Sequence, residues 1–382
     1  MDTGTGAAPE TVRATLLGAW PGADPVVAAR DMVSGLGSPH LPVLPELPAR
    51  GPGSDAVGRS AGLLEELAVD LQPHGWRLVP EPGMDHRRAV SALSTDRHAL
   101  TDIAGEAGLE LDDLALRVRG PMSLAADLWL TGGERSLSDY GARRDVAQSL
   151  TAGLAAQVRS MRAQTGASRL TVIVDEPRAA AILSGTLPTA SGYRTVRSIP
   201  RTEVRAAWTA LAQAVIDAGA SSVVLAPGRS GAGEAWPWTD LALLASESLP
   251  SASSPSSPSA SGPVPEPMSA LALPLVPLEG PGSDASCWDI VAGWTEAGRH
   301  IVFRLPEPGP AGDRDHRPYR DTAVGIARTW ERIGLDPARL AQLVLAAPDQ
   351  SGATRLTANR TLEATVAAAE QLDRIRQDGG LA

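Results

Sequence analysis

The sequence has 382 residues, of which 43% are hydrophobic, so the chain can bury one large core or two ordinary ones and is not disordered throughout. Its formal net charge of −10 argues against unaided binding to nucleic acid or to an anionic membrane. No apolar run approaches the roughly 20 residues of a membrane span, and no basic-then-apolar leader is present, so we expect a soluble cytoplasmic protein.

Eight short runs of apolar and β-branched residues predict buried strands. In chain order they cover residues 14–20, 40–46, 114–120, 170–176, 221–227, 271–279, 300–305 and 340–347. Apolar residues at three- and four-residue steps predict helices between them, most clearly at residues 58–72, 201–220 and 364–377. This alternation predicts an α/β fold, a single (β/α)8 TIM barrel, with a doubly wound open sheet as the alternative.

One segment does not fit the barrel pattern. Residues 246–268 are rich in serine and proline and nearly uncharged, a composition that predicts a disordered insertion. The chain then divides into a tail at residues 1–11 and one barrel domain at residues 12–378 that contains the insertion.

The carboxyl ends of barrel strands normally carry the functional residues. Acids follow several of the predicted strands here, namely Glu46, Asp175, Glu176, Glu279, Glu307 and Asp349. We expect them to converge on one face, with Glu46, Asp175 and Glu279 around a common cavity. Two simpler interpretations stay open: Asp175 precedes Pro177 and can cap a helix, and Glu279 can be a solvated loop acid.

One missing residue type and one rare one restrict the chemistry. All 34 basic residues are arginine, which excludes lysine Schiff bases, pyridoxal phosphate attachment and a P-loop lysine. Cys287 is the only cysteine, so no intrachain disulfide and no site with two thiolate ligands can form. A free cysteine is usually a small buried hydrophobe rather than a ligand.

Four strand-end motifs resemble those of cobalamin-independent methionine synthase, in the same order. They are GAWP at residues 18–21, GPMS at 120–123, VDEPRAA at 174–180 and APDQSGAT at 347–354. The resemblance spans roughly residues 12–375, and HLPVLPELPARG at residues 40–51 is most similar to actinobacterial single-domain relatives of that family's C-terminal barrel. It implies a barrel of the methionine synthase/uroporphyrinogen decarboxylase-like type.

The resemblance implies a methyltransferase of methionine biosynthesis, which moves a methyl group from a folate to the thiol of homocysteine. Zinc binds that thiol as thiolate in the family. The ligand positions fall here at Ala226, Gly228, Glu279 and Gln350, so only the glutamate survives. We therefore expect no bound zinc.

The resemblance also implies an amino-acid pocket. The turn Leu17–Gly18–Ala19 would offer backbone groups to the substrate, and Glu46 and Asp175 would hold its ammonium group. Glu176 and Trp129 are further candidates, Trp129 as a surface on which a pterin could stack.

Three functions stay open at this stage. The chain is a methionine-synthase-like methyltransferase, or a non-catalytic relative that binds an amino acid or another small metabolite. A barrel hydrolase with two carboxylates, such as Asp175 or Glu176 with Glu279, is the lesser alternative.

Overall fold

The computed structural model describes residues 11–108, 111–228, 268–277, 279, 283–307 and 317–381. Apart from Thr11 and Met268, the predicted tail and the predicted insertion at 246–268 lie outside these ranges.

A curled parallel sheet of seven strands forms the centre of the fold and confirms the predicted α/β class. The strands lie in the order β1-β9-β8-β7-β6-β5-β4. A separate antiparallel hairpin contains β2 and β3. The strand bounds are β1 Arg13–Leu16, β2 Ala68–Gln72, β3 Gly75–Val79, β4 Asp113–Arg119, β5 Arg169–Glu176, β6 Ser222–Pro227, β7 Ala270–Pro274, β8 His300–Arg304 and β9 Leu343–Ala347.

Helices connect the strands, and those in the described ranges include none long and apolar enough to cross a membrane. Short 3-10 helices lie at Pro48–Arg50, Ser136–Ser138 and Pro337–Gln342. The α-helices are α1 Pro25–Gly35, α2 Ala56–Ala61, α3 Met84–Glu106, α4 Pro121–Asp127, α5 Tyr140–Thr165, α6 Ala179–Ser184, α7 Arg201–Asp217, α8 Ala285–Glu296, α9 Arg317–Arg332 and α10 Arg355–Gln377.

The predicted strand at residues 40–46 forms no regular ladder, but it hydrogen bonds to both edge strands of the sheet. Leu41 N donates to Ala14 O of β1 at 2.9 Å, and Leu44 N donates to Ala115 O of β4 at 2.9 Å. Pro42 and Pro45 have no N–H to donate, which explains why the pairing stays irregular.

The predicted helix at residues 58–72 is wrong. Helix α2 ends at Ala61, and the chain enters the β2–β3 hairpin at Ala68. Glu66 lies between them with φ of 61°, a left-handed conformation that no helix interior accepts. The apolar spacing of this stretch therefore reflects two short buried elements rather than one helix.

An ionic cluster lies where the sheet strands begin, at the opposite end from the predicted site. Asp113 of β4 accepts hydrogen bonds from Arg169 of β5 at 2.9 and 2.5 Å and from Arg13 of β1 at 3.2 Å. His300, at the start of β8, has its pKa lowered by burial and by Arg13. These polar and charged groups lie together at the amino ends of the sheet strands.

His40 joins the irregular strand to β1 in its neutral form. Its Nδ1 accepts a hydrogen bond from Ala14 N at 3.1 Å, and burial lowers its pKa. In the unfolded chain a histidine has a pKa of about 6.5. As the pH falls below this value, the unfolded state binds a proton that the folded state does not, so the folded protein loses stability. Each such histidine costs at most about 1.4 kcal/mol per pH unit.

We expect His40→Asn to lose less free energy of unfolding than the wild type between about pH 7.5 and about pH 5.5, since asparagine can still accept from Ala14 but does not titrate. Urea denaturation at the two pH values measures this. His98→Asn, at an exposed site, serves as control and should keep the wild-type slope. Equal slopes for His40→Asn and wild type would contradict the assignment.

Candidate functional site

Two of the predicted acids meet at the carboxyl ends of the strands, joined by an arginine that the prediction did not include. Arg117 of β4 pairs with Glu46 through Nη1 and with Asp175 Oδ2 through Nη2 at 2.8 Å. Arg119 Nη1 lies 2.6 Å from the same Asp175 oxygen. Register explains this, because Arg119 and Asp175 are paired positions of β4 and β5, and Arg117 lies two residues before Arg119 on the same face. We call Glu46, Arg117, Arg119 and Asp175 the mouth cluster.

The mouth cluster is buried and close to electrical balance. Glu46 and Asp175 are each 3% exposed. Burial opposes the charge on Arg117, but the carboxylates of Asp175, Glu46 and Asp349 outweigh it and raise the pKa of that guanidinium. Arg304 of β8 adds a further cation, with Nη2 3.9 Å from Asp175 Oδ1. Asp175 is therefore surrounded by guanidinium groups and is not the helix cap that the simpler interpretation suggested.

The cluster continues outward through Asp127. Arg119 Nε lies 3.5 Å from Asp127 Oδ2, and Arg178 Nε lies 3.2 Å from Asp127 Oδ1. Arg178 is about half exposed, so the row of alternating charges runs from the interior to the surface.

The predicted substrate turn Leu17–Gly18–Ala19 is locked onto the turn after β9. Ala19 N donates to Asp349 Oδ2 at 2.7 Å, and Ala19 O accepts from Gln350 N at 3.0 Å. A Cβ at Gly18 would lie 2.3 Å from Asp349 Cα, so only glycine fits. The backbone groups of Ala19 are thus engaged within the protein.

Arg59 of α2 holds the segment that carries Glu46. Its guanidinium donates to Pro45 O at 2.5 Å and to Leu44 O at 3.3 Å. Asp96 of α3 lies 3.7 Å from Arg59 Nη1 and 2.7 Å from Arg50 Nη1. Arg59 therefore supplies donors to two carbonyl groups of a segment that forms no regular ladder.

Glu176, a further candidate, points away from the mouth cluster. Its carboxylate is fully buried and accepts from Met122 N at 3.0 Å, Ser123 N at 2.7 Å and Trp208 Nε1 at 2.8 Å. Burial raises its pKa, and these three donors limit the rise. Its visible role is to cap the start of α4, whose own N-cap, Gly120, has no side chain.

Trp129 extends the β2–β3 hairpin. Its N and O exchange hydrogen bonds with Trp76 O at 2.9 Å and Leu78 N at 2.8 Å. Its ring meets His74 edge-on, with centroids 5.2 Å apart, and the guanidinium of Arg135 lies 4.7 Å above it. Stacking on a pterin stays a prediction.

Among solved structures, a methyltransferase from Methanosarcina mazei is similar, with a TM-score of 0.52 and 13% identity, covering 94% of this chain and 93% of the other. The two proteins share a fold. A B12-independent methionine synthase from Shewanella sp. W3-18-1, in complex with selenomethionine, has a TM-score of 0.43 and 9% identity, covering 80% of this chain and 71% of the other. A Prevotella bryantii endo-beta-mannanase/endo-beta-glucanase has a TM-score of 0.35 and 12% identity, covering 79% of this chain and 40% of the other. No family model and no curated protein sequence matches.

The four positions that hold zinc in the methionine synthase resemblance do not fit a zinc ion here. Ala226 is a buried methyl group, Gly228 packs against Pro177, and Gln350 donates its amide to Pro348 O at 3.0 Å. The described residues contain no group of three His, Cys, Asp or Glu side chains that could hold a metal ion.

Glu279, the remaining family ligand, lies apart from the mouth cluster. Its side chain is 76% exposed and pairs with Arg332 at 3.2 Å. Glu46, Asp175 and Glu279 therefore do not surround one cavity as we expected. Glu307 is exposed as well. Asp349 accepts a hydrogen bond from Ala19 N in the turn after β1.

Sequence reasoning missed the arginines that surround the two acids. Arg117 and Arg119 were visible as alternating charges in LALRVRG, at the end of a strand otherwise built for burial. A charge at every second position of such a strand points to one face, and that signal could have found both. Arg59 and Asp96 had no comparable signal, because they are distant in sequence from the segment they support.

Proposed function

We propose that residues 40–46 act as the eighth strand and close the sheet into a methionine-synthase-like (β/α)8 barrel. We further propose that this barrel binds a small amino acid at the mouth cluster. The hydrogen bonds of this segment to β1 and to β4 support closure. The fold shared with a methyltransferase supports the choice of family.

The distribution of free acceptors and nearby donors in the mouth cluster carries this proposal. The cluster's hydrogen bonds go to Glu46 Oε2 and Asp175 Oδ2, which leaves Glu46 Oε1 and Asp175 Oδ1 outside them, the latter 3.9 Å from Arg304 Nη2. These two oxygens suit an ammonium group, and the guanidinium of Arg119 suits a carboxylate. A zwitterionic amino acid such as methionine or homocysteine offers both groups and leaves the net charge of the site unchanged.

Methyl transfer to the homocysteine thiol, with a folate as donor, is the reaction that the resemblance implies. It needs a thiolate at neutral pH, which zinc supplies in the family. Because the residues at the zinc positions do not fit that ion, we favour binding without zinc-dependent chemistry. The hydrolase alternative loses support, because Glu176 is enclosed by three donors and Glu279 is on the surface.

Calorimetric titration of the purified protein with L-methionine and L-homocysteine tests the proposal. We expect 1:1 binding, weakened about tenfold or more by Asp175→Asn, since a charge-assisted hydrogen bond to ammonium contributes about 1.5–3 kcal/mol. Asp289→Asn, at an exposed position, is the matched control and should bind like the wild type.

A parallel assay separates binding from catalysis. Protein prepared with added zinc is analysed for metal and incubated with homocysteine and a methylated folate. We expect amino-acid binding without stoichiometric zinc and without methionine formation. Turnover with bound zinc would replace the binding proposal by methyl transfer, and absence of heat with either amino acid would refute the proposed site.

A further inference from the structure

A second concave site lies outside the mouth cluster and shares no residue with it. It is a cleft of about 910 Å³ between the start of α5, the start of α7 and the loop that joins α6 to α7. A cleft of this size accommodates a ligand the size of a nucleotide or a sugar phosphate. Its lining comes from residues 134–143 on one side and 189–203 on the other.

A partly buried ion pair joins the two walls of the cleft. Arg143 of α5 donates to both carboxylate oxygens of Glu203 of α7, at 2.5 and 3.1 Å, and to Leu137 O at 3.3 Å. The guanidinium also lies 5.1 Å from the ring of Tyr140. Because every charge of this pair is already matched, Arg143 and Glu203 shape the cleft and leave ligand binding to other groups.

The opposite rim carries two arginines whose charges are not matched. Arg194 and Arg197 are exposed, and neither guanidinium has a hydrogen bond or an ion pair with any part of the chain that the structure describes. Ser138, Thr195 and Ser198, which carry hydroxyl groups, line the same space, and so does the acidic residue Glu134. Guanidinium groups beside hydroxyl donors are the chemistry by which proteins hold phosphate and carboxylate groups.

The local charge is opposite to that of the whole protein. Residues 194–205 contain four arginines and one glutamate, within a chain of net charge −10. Such a local reversal raises the concentration of anions at this face, against the repulsion from the rest of the molecule.

We propose that this cleft is a binding site for a small, multiply charged organic anion, with Arg194 and Arg197 as its principal ligands. Phosphate and polycarboxylate groups share the required chemistry. The site is independent of the mouth cluster, so each can fail its test without affecting the other.

Titration calorimetry on the full chain, with inorganic pyrophosphate and with citrate as separate probes, tests this proposal. We expect 1:1 binding of at least one probe, weaker at higher ionic strength. The double variant Arg194→Gln/Arg197→Gln should bind about tenfold more weakly or not at all, because both charged donors are gone. The probe that binds more tightly identifies the preferred anionic group.

The control is the double variant Arg328→Gln/Arg360→Gln, which removes the same charge from two exposed positions on other helices. It should bind as the wild type does, and both double variants should keep the wild-type midpoint of thermal unfolding. Asp175→Asn should also leave anion binding unchanged. Lack of binding of both probes, or equal weakening by the two double variants, would overturn the proposal.

Discussion

Replacing Glu176 with alanine should lower the free energy of unfolding by about 3–5 kcal/mol, because it leaves three buried N–H donors without a partner and each costs about 1–3 kcal/mol. The donors are Met122 N, Ser123 N and Trp208 Nε1. They belong to two different helices, α4 and α7, so one carboxylate attaches both helices to the end of β5.

Glutamine at the same position should have a smaller effect, of about 1–3 kcal/mol. Its carbonyl oxygen can still accept from one or two of the donors, but its NH2 group must face a backbone N–H. The first turn of α4 gains no substitute cap, since its own N-cap residue, Gly120, has no side chain.

Urea denaturation followed by far-ultraviolet circular dichroism measures both variants. Glu106→Gln removes a carboxylate from an exposed position of α3 and should change stability by less than about 0.5 kcal/mol. If Glu176→Ala were as stable as Glu106→Gln, the carboxylate would not be the partner of these donors.

The central strands were predictable because burial on both faces leaves a simple signal. RLTVIVDE in β5 is apolar or β-branched over five residues and buried from Leu170 onward, as a parallel strand covered by helices must be. Residues 40–46 hydrogen bond to both edge strands but form no regular ladder, because Pro42 and Pro45 have no N–H to donate. The β2–β3 hairpin was missed, because apolar residues at residues 63–71 fit helical spacing equally well.

The site was only partly predictable, and Asp175 and Glu176 show why. Adjacent residues of a strand face opposite sides, so only one of these two acids could enter the interior of the sheet. Strand periodicity alone would have separated them. The partners of Asp175 depend instead on the register between β4 and β5, which pairs it with Arg119 and which no single-strand pattern reveals.

Residues outside the strands were the least predictable. Glu279 follows β7 in a turn whose direction no periodicity fixes, and it pairs with Arg332 on the surface. The Ala19 turn was placed correctly at a strand end. Its backbone groups are nevertheless taken by Asp349 and Gln350, which come from the opposite end of the chain.

Replacing Arg117 with methionine should destabilise the protein by about 3–5 kcal/mol at neutral pH, because removal of one partner leaves buried charges uncompensated. Glu46 loses the partner of its Oε2 atom, and among the described residues Asp175 keeps Arg119 and the more distant Arg304. Methionine fills a similar volume, so the loss should arise mainly from charge rather than from a cavity.

Acid and a second substitution distinguish charge from packing. Protonation removes uncompensated carboxylate charge, so the stability deficit of Arg117→Met relative to the wild type should be smaller in acid than at neutral pH. The double variant Arg117→Met/Glu46→Gln should recover part of the loss at neutral pH for the same reason. Urea denaturation across this pH range measures both effects.

Arg144→Met is the matched control, since it removes an arginine that pairs with Asp145 on the exposed face of α5 and should cost at most about 0.5 kcal/mol. A deficit for Arg117→Met that stays constant with pH, and that Glu46→Gln does not relieve, would mean that Arg117 acts through packing. The two carboxylates would then not depend on it for their charge balance.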